Sequence, residues 1–266
     1  MKVNKLAIIG GGNLGTAIAK GLLANGLLKP SQIVITRRRT SLLSDFTEKG
    51  VEVTKDNLKA TKGADVVLLG VKPYQLEGVV KEITPELNEG TVLVSLATGI
   101  SSEKIQSYSS IKLPIFRAMP NTAIEIGESM TCISSFNASE EQEKQVVDMF
   151  SEMGQAIIIP EELMAASTVL AACGIAFAMR FIRAATQGGI EIGFGSKLAL
   201  QISAQTIKGA ADLLIEKGSH PEDEIDKVTT PRGVTISGLN EMEHQGFSSS
   251  LIKGLLTSFN KIENGK

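Results

Sequence analysis

Near the end of the chain, Val228-Thr229-Thr230-Pro231-Arg232-Gly233-Val234-Thr235-Ile236 gathers residue types that can hold a small carboxylic acid. Thr230 suits a helix N-cap and Pro231 the first helical position, where a backbone N–H would be unpaired in any case. The amides of Arg232, Gly233 and Val234 would then lie in the first turn without intrahelical acceptors, a setting that attracts a carboxylate. Thr235 adds a hydroxyl about one turn in. With Val228 opening the stretch, this describes a pocket for a small acid with one polar handle. An ordinary capped surface helix would use the same residues.

A second chemical element opens the chain. The apolar run Lys5–Ile9 leads into Gly10-Gly11-Gly12-Asn13-Leu14-Gly15, and an amphipathic helical pattern follows to Gly26. Gly10, Gly12 and Gly15 fit the dinucleotide fingerprint: one glycine for the tight turn, one for pyrophosphate approach, one for helix-on-strand packing. The next strand, Gln32–Ile35, ends in Thr36-Arg37-Arg38-Arg39-Thr40, with no acid until Asp45. An NAD site would place an acid there to hold the ribose hydroxyls. Hydroxyl and guanidinium groups suit a 2′-phosphate instead, so the expected cofactor is NADPH, with NADH weaker. A solvated basic turn is the other reading of Arg37 and Arg38.

The elements that must position these groups alternate between strand and helix. Strands are expected at 65–71, 91–96, 114–117, 131–133 and 156–159, with a helix over 139–153. Such alternation implies a doubly wound parallel sheet of Rossmann type, which binds ligands at the C-terminal ends of its strands. Asn13, Thr36, Val71, Lys72, Thr98 and Asn121 fall at those ends. After Pro160 the strands stop. Glu161–Thr186 reads as one helix of about 40 Å at 1.5 Å per residue, apolar around most of its circumference and so needing enclosure on all sides. Further helices follow from Ser196, from His220-Pro221 and from Phe247. The expected organisation is an α/β dinucleotide-binding domain over 1–160 and an all-α substrate-binding and dimerisation domain over 161–266.

Composition narrows the function classes. A net charge of −2 and 42% hydrophobic residues give no electrostatic case for nucleic acid or an anionic membrane. Cys132 and Cys173 cannot form a disulfide framework and fit a reducing cytosol. Leu6–Ile9 is too short for a signal peptide, and Thr168–Met179 is cut off by Arg180 and Arg183, short of the roughly 18 apolar residues of a membrane span. A cytoplasmic protein is expected, with no metal site, since no ligand spacing suggests one. His220 at a helix start, His244 on a charged face, Glu161-Glu162 at a helix N-terminus and Cys173 in the long helix read first as structural or solvated residues.

Several of these segments are specific enough to carry a family resemblance: Val71-Lys72-Pro73, Arg117-Ala118-Met119-Pro120-Asn121-Thr122, His220-Pro221, and Val228 through Gly238 followed by Gly246-Phe247. In these the chain resembles the pyrroline-5-carboxylate reductase family over essentially its whole length. The resemblance implies a Rossmann domain binding NAD(P)H and C-terminal helices interlocking with a second subunit, with assembly beyond the dimer, such as a decamer, also implied. The implied reaction is hydride transfer to the cyclic imine of 1-pyrroline-5-carboxylate, giving L-proline. It places Gly10, Gly11, Gly12, Asn13 and Leu14 at the pyrophosphate, and Asn57, Val71, Lys72 and Thr98 at nucleotide and nicotinamide. Thr235 falls at the imine nitrogen, with Thr230, Gly233 and Val234 about the carboxylate. Two segments depart from the family pattern. Ala172-Cys173-Gly174-Ile175 stands where it usually has Gly-Ser-Gly-Pro, and Pro231-Arg232-Gly233 where it has Pro-Gly-Gly.

Rivals share this architecture. Reductases of keto acids need a proton donor, typically a lysine on the long helix, and from Gln155 to Ser196 the chain has neither lysine nor histidine. A non-catalytic NADPH-binding module, with the two departures as its support, is the other alternative.

Overall fold

Eight short strands form one sheet in the computed structural model, which describes residues 3–264. The outer ends of the two expected domains, at residues 1–2 and 265–266, lie outside the described residues. The chain divides into two compact units, one running to Cys173 and taking in the C-terminal end from Phe259, the other spanning Gly174–Ser258.

In the first unit β1 (Leu6–Ile9), β2 (Ile33–Thr36), β4 (Val66–Leu69) and β5 (Val92–Ser95) are buried along their whole length. Near-continuous apolar runs of this kind belong to parallel strands covered on both faces. β3 (Glu52–Thr54), β6 (Ile115–Met119), β7 (Ser129–Phe136) and β8 (Gly154–Ile158) complete the order β3-β2-β1-β4-β5-β6-β7-β8. The first six strands have the doubly wound Rossmann order and are parallel. β7 runs antiparallel to β6, a reversal that strand periodicity does not encode, and β8 is parallel to β7.

Alternate side chains along each strand feed two apolar layers. Leu6, Ile8, Ile35, Leu68 and Phe116 pack beneath α1 (Asn13–Ala24). Ala7, Ile9, Val67, Leu69 and Ile115 pack on the opposite face. The short helices α2 (Ser44–Glu48), α3 (Asn57–Thr61) and α5 (Ser102–Gln106), with the longer α4 (Pro73–Ile83) and α6 (Glu140–Ser151), connect the strands.

The long helix differs from expectation in two ways. It extends from Glu161 to Glu191, and it is not uniformly α-helical. A 3₁₀ turn (Glu161–Leu163) leads into α7 (Met164–Ser167), then a π-helical segment (Thr168–Cys173), then α8 (Gly174–Glu191). The π-helical segment holds the first part of the Ala172–Ile175 departure; π-turns within α-helices are rare and often lie at functional sites. The helix is also more apolar than its interrupting arginines suggest. An 18-residue window has mean hydropathy 1.7, enough to cross a membrane by length and composition, and 11% of that window is buried.

In the second unit α8 is followed by α9 (Ser196–Lys217), α10 (Pro221–Lys227), α11 (Val234–His244) and the start of α12 (Phe247–Glu263). Gly189 lets α8 and α9 approach closely, since a Cβ there would lie 3.1 Å from that of Ala199. The Phe181 and Phe247 rings meet edge to face at 6.0 Å. Yet among the described residues of this unit only Thr186 and Ala199 are buried, and Met179, Leu200, Ile202, Leu251, Ile252 and Leu256 are exposed. These helices have no core of their own within one chain.

Candidate active site

The glycine-rich turn has the geometry that phosphate binding requires. Gly10 has φ +106°, and a Cβ on it would lie 2.7 Å from the Gly70 carbonyl oxygen; a Cβ on Gly15 would lie 2.4 Å from the Gly10 oxygen. Both glycines are therefore fixed by close backbone approach. Gly12 differs: a Cβ there would meet nothing within 4 Å. It is the N-cap of α1, its own N–H donates to the Gly10 carbonyl, and the Asn13, Leu14 and Gly15 amides follow without intrahelical acceptors. An open cradle at the positive end of a twelve-residue helix fits a pyrophosphate.

The basic loop after β2 is tied into this turn. Thr36, buried, accepts a hydrogen bond from the Gly10 amide through its hydroxyl (3.3 Å), and its carbonyl accepts one from Gly11 N–H (2.7 Å). Arg37 Nη1 donates to the Gly11 carbonyl at 2.8 Å. Arg38 and Arg39 are exposed. One arginine thus holds the turn while its neighbours face solvent, an arrangement able to meet a 2′-phosphate.

Further along the same sheet edge, Val71 follows β4 and Lys72 caps α4, its amide donating to Gln75 Oε1 at 3.2 Å. Thr98 follows β5, and its hydroxyl points to Met119 Sδ at 4.0 Å. Asn121 follows β6, but its side chain is engaged: Oδ1 accepts from the Ala123 amide (2.9 Å) and Nδ2 donates to the Ala171 carbonyl in the π-helical segment (3.3 Å). Asn57 begins α3, beyond β3, and donates to Glu82 Oε2 at 3.1 Å. The fold therefore brings Gly10–Leu14, Thr36–Arg38, Val71, Lys72, Thr98 and Asn121 to the C-terminal ends of β1, β2, β4, β5 and β6.

In the second unit the helix start is displaced from its expected place. The N-cap of α11 is Gly233, not Thr230. Thr230-Pro231-Arg232-Gly233 forms a tight turn closed by Gly233 N–H to the Thr230 carbonyl at 2.9 Å, with Arg232 at φ +60°. Proline second and a left-handed residue third is the pattern of a type II turn, which normally calls for glycine in the third place. The local preference of threonine for capping is overridden by this turn. The first-turn amides are accordingly those of Val234, Thr235 and Ile236, while the Gly233 amide is taken by the turn and Arg232 lies ahead of the helix. Gly233 is fixed by crowding, since a Cβ would lie 2.6 Å from the Thr230 hydroxyl oxygen. Thr235 is exposed, flanked by Val234 at 90% exposure and, earlier in the chain, by Val228 at 62%.

Some residues have other roles than their sequence positions suggest. Glu161 accepts from Arg117 Nη1 (3.0 Å) and from the Ser102 amide (2.6 Å), beyond any service to its own helix start. The sequence signal for such a partner was a lone arginine inside the apolar strand Ile115–Met119. Gly70, also unanticipated, is required by the Gly10 contact. His220 caps α10, its Nδ1 accepting from Glu222 N–H at 3.3 Å. Cys132 is buried, which raises its thiol pKa, while Cys173 is partly buried and not among the core residues.

Fold and loop geometry define a dinucleotide-dependent oxidoreductase of Rossmann type carrying a helical second unit. Residues 5–99 match the family described as NADP oxidoreductase, coenzyme F420-dependent, and residues 161–264 match that described as pyrroline-5-carboxylate reductase dimerisation. The chain is 46% identical over 97% of its length to pyrroline-5-carboxylate reductase 1 of Dictyostelium discoideum, spanning about half (49%) of that relative. It is 42% identical over 98% of its length to pyrroline-5-carboxylate reductase 2 of the same organism, covering 93% of it. A solved pyrroline-5-carboxylate reductase from Coxiella burnetii superposes with TM-score 0.90 at 28% identity, over 99% of this chain and 98% of that one. The chain belongs to the pyrroline-5-carboxylate reductase family.

Proposed function

We propose that this protein reduces 1-pyrroline-5-carboxylate to L-proline with NADPH. The observation that carries the reading is the 42% identity to a relative of that name across 93% of its length. The open cradle at Gly12 and the first-turn amides after Gly233 are the structural features that accord with it.

When bound, the dihydronicotinamide supplies a hydride. The chain's own residues hold the two reactants. Gly10, Gly11 and Gly12 shape the turn, and the amides of Asn13, Leu14 and Gly15 neutralise the pyrophosphate. Thr36 and Arg37 brace that turn while Arg38 meets the 2′-phosphate. Asn57, Val71, Lys72, Thr98 and Asn121 line the remaining nucleotide and nicotinamide edge. At the start of α11 the amides of Val234, Thr235 and Ile236 bind the substrate carboxylate, with Val228, Thr230 and Gly233 shaping the approach. The Thr235 hydroxyl hydrogen-bonds the ring nitrogen, which passes from iminium to amine as C5 gains hydride. The proton is already on nitrogen, so alignment of donor and acceptor carbons is the main demand on the protein.

We assign the functional boundary to residues 160 and 161, giving a dinucleotide domain over 1–160 and a substrate and dimerisation domain over 161–266. A second copy of the chain, rather than lipid, is the proposed cover for the apolar helix Glu161–Glu191, with a cytoplasmic homodimer as the basic assembly and a decamer as a larger one. Nucleic acid has no part in this reading. Loss of NADPH absorbance on adding pyrroline-5-carboxylate, with L-proline as product, tests the activity. Bound NADPH without turnover would instead identify a binding module.

A further inference from the structure

We propose that Arg117 and Glu161 are positioning residues for hydride transfer, holding the loop that carries Thr98; the inference rests on the reductase reading above. Arg117 lies within β6 and is 6% exposed, and among the described residues its carboxylate partner is Glu161, 3.0 Å from Nη1. Among the described residues its Nε has no hydrogen-bond partner, nor have the buried hydroxyls of Ser134, its cross-strand neighbour, and Ser102. An ion pair in which Arg117 is buried and the Glu161 side chain is 28% exposed, with polar atoms left over, contributes little net stability compared with apolar residues of similar volume. Stability is therefore a poor account of why the pair is there.

Its geometry gives a better one. A single oxygen, Glu161 Oε1, receives both Arg117 Nη1 and the Ser102 amide. Ser102 opens α5 and closes the loop that leaves β5 after Ser95, which pairs with Arg117 in the sheet. Thr98 sits in that loop, its hydroxyl on Met119, two residues beyond Arg117 on β6. One carboxylate oxygen thus ties the Ser102 end of the Thr98 loop to β6, whose backbone already pairs with the Ser95 end. Ten residues further along the same helix, the Ala171 carbonyl holds Asn121 at the end of β6. The helical segment beginning at Glu161 grips both loops at the C-terminal edges of β5 and β6. Small misplacements at such an edge are costly to hydride transfer, because a shift near 1 Å can lower rate by about 100-fold.

The test uses the full-length protein and the variants Glu161→Gln, Glu161→Ala and the pair Arg117→Met with Glu161→Leu. Glu161→Gln keeps an acceptor oxygen for both donors and should hold kcat within about threefold of wild type. Glu161→Ala and the double variant should lose about tenfold or more in kcat with little change in KM for NADPH. The double variant should melt within a few degrees of wild type. The fluorescence of bound NADPH, which reports the surroundings of the nicotinamide, should shift in Glu161→Ala and the double variant while affinity holds. Wild-type kcat and unchanged fluorescence in the double variant would overturn the proposal, as would losses that merely follow melting temperature. If the double variant does not fold, equal impairment of Glu161→Gln and Glu161→Ala overturns it, and recovery in Glu161→Gln supports it. Should the wild type bind NADPH but fail to reduce pyrroline-5-carboxylate, the functional reading falls and the fluorescence comparison still decides this one.

Discussion

Arg37 Nη1 donates to the Gly11 carbonyl at 2.8 Å, so the first arginine of the basic loop is part of the glycine-rich turn. Arg37 and Arg38 are therefore not equivalent. Arg38→Ser should raise KM for NADPH about tenfold or more, from one charge-assisted phosphate contact of about 1.5–3 kcal/mol, and leave KM for NADH nearly unchanged. Arg37→Ser should weaken both cofactors, because it loosens the pyrophosphate turn. Initial rates with each cofactor check this; equal losses in Arg38→Ser would mean that the side chain only decorates the surface.

The three glycines of the fingerprint should separate by phenotype. Gly12→Ala places a methyl in open space, so the protein should fold and melt normally while binding NADPH much more weakly. Gly10→Ala drives a Cβ to 2.7 Å from the Gly70 oxygen at φ +106°, and should lower the melting temperature or prevent folding. Calorimetry and fluorescence titration distinguish them. A Gly12→Ala protein with full NADPH affinity would place the pyrophosphate elsewhere.

Thr235→Ala should cost about 1–3 kcal/mol in kcat/KM, roughly five- to more than a hundredfold, by leaving the ring nitrogen without its partner. NADPH affinity should barely move, and Thr235→Ser should recover most of the loss. Steady-state kinetics with pyrroline-5-carboxylate decide it; a wild-type rate in Thr235→Ala would remove Thr235 from the site.

Arg232 occupies a left-handed conformation, φ +60°, which costs a side-chain-bearing residue about 1–2 kcal/mol. Arg232→Gly releases that strain, offset by about 0.5–1 kcal/mol of extra unfolded-state entropy. A net rise of a few degrees or less in melting temperature is expected, with kcat/KM unchanged or mildly improved. A clear loss of stability would show that the arginine side chain supplies a contact worth more than the strain.

The alternation of apolar runs with helical patterns was enough to read the sheet, because a parallel strand buried on both faces must be apolar throughout. β3 escaped, since Glu52, Val53 and Thr54 include no buried residue and carry no such pattern. The antiparallel β6–β7 pair escaped because periodicity fixes a strand's faces and not its direction. Thr230 looked like a cap on local preference alone, and nothing in an arginine announces a positive φ. Likewise Glu161 had a sufficient local explanation at a helix start, while its partner lay 44 residues away. The glycine turn was readable because its chemistry is local: Gly10 answers to the Gly70 carbonyl beyond the adjoining strand and Gly15 to the Gly10 carbonyl, while Gly12 leaves the open space.

Among the described residues of Gly174–Ser258, Thr186 and Ala199 are the only buried ones. A helical layer so lacking in interior takes its stability from whatever covers it, and that contribution grows with the logarithm of the cover's concentration. With a second copy as the cover, folding of this half becomes second order in protein. Its melting temperature would then rise with protein concentration, and the level of expression would set the fraction of chains able to work.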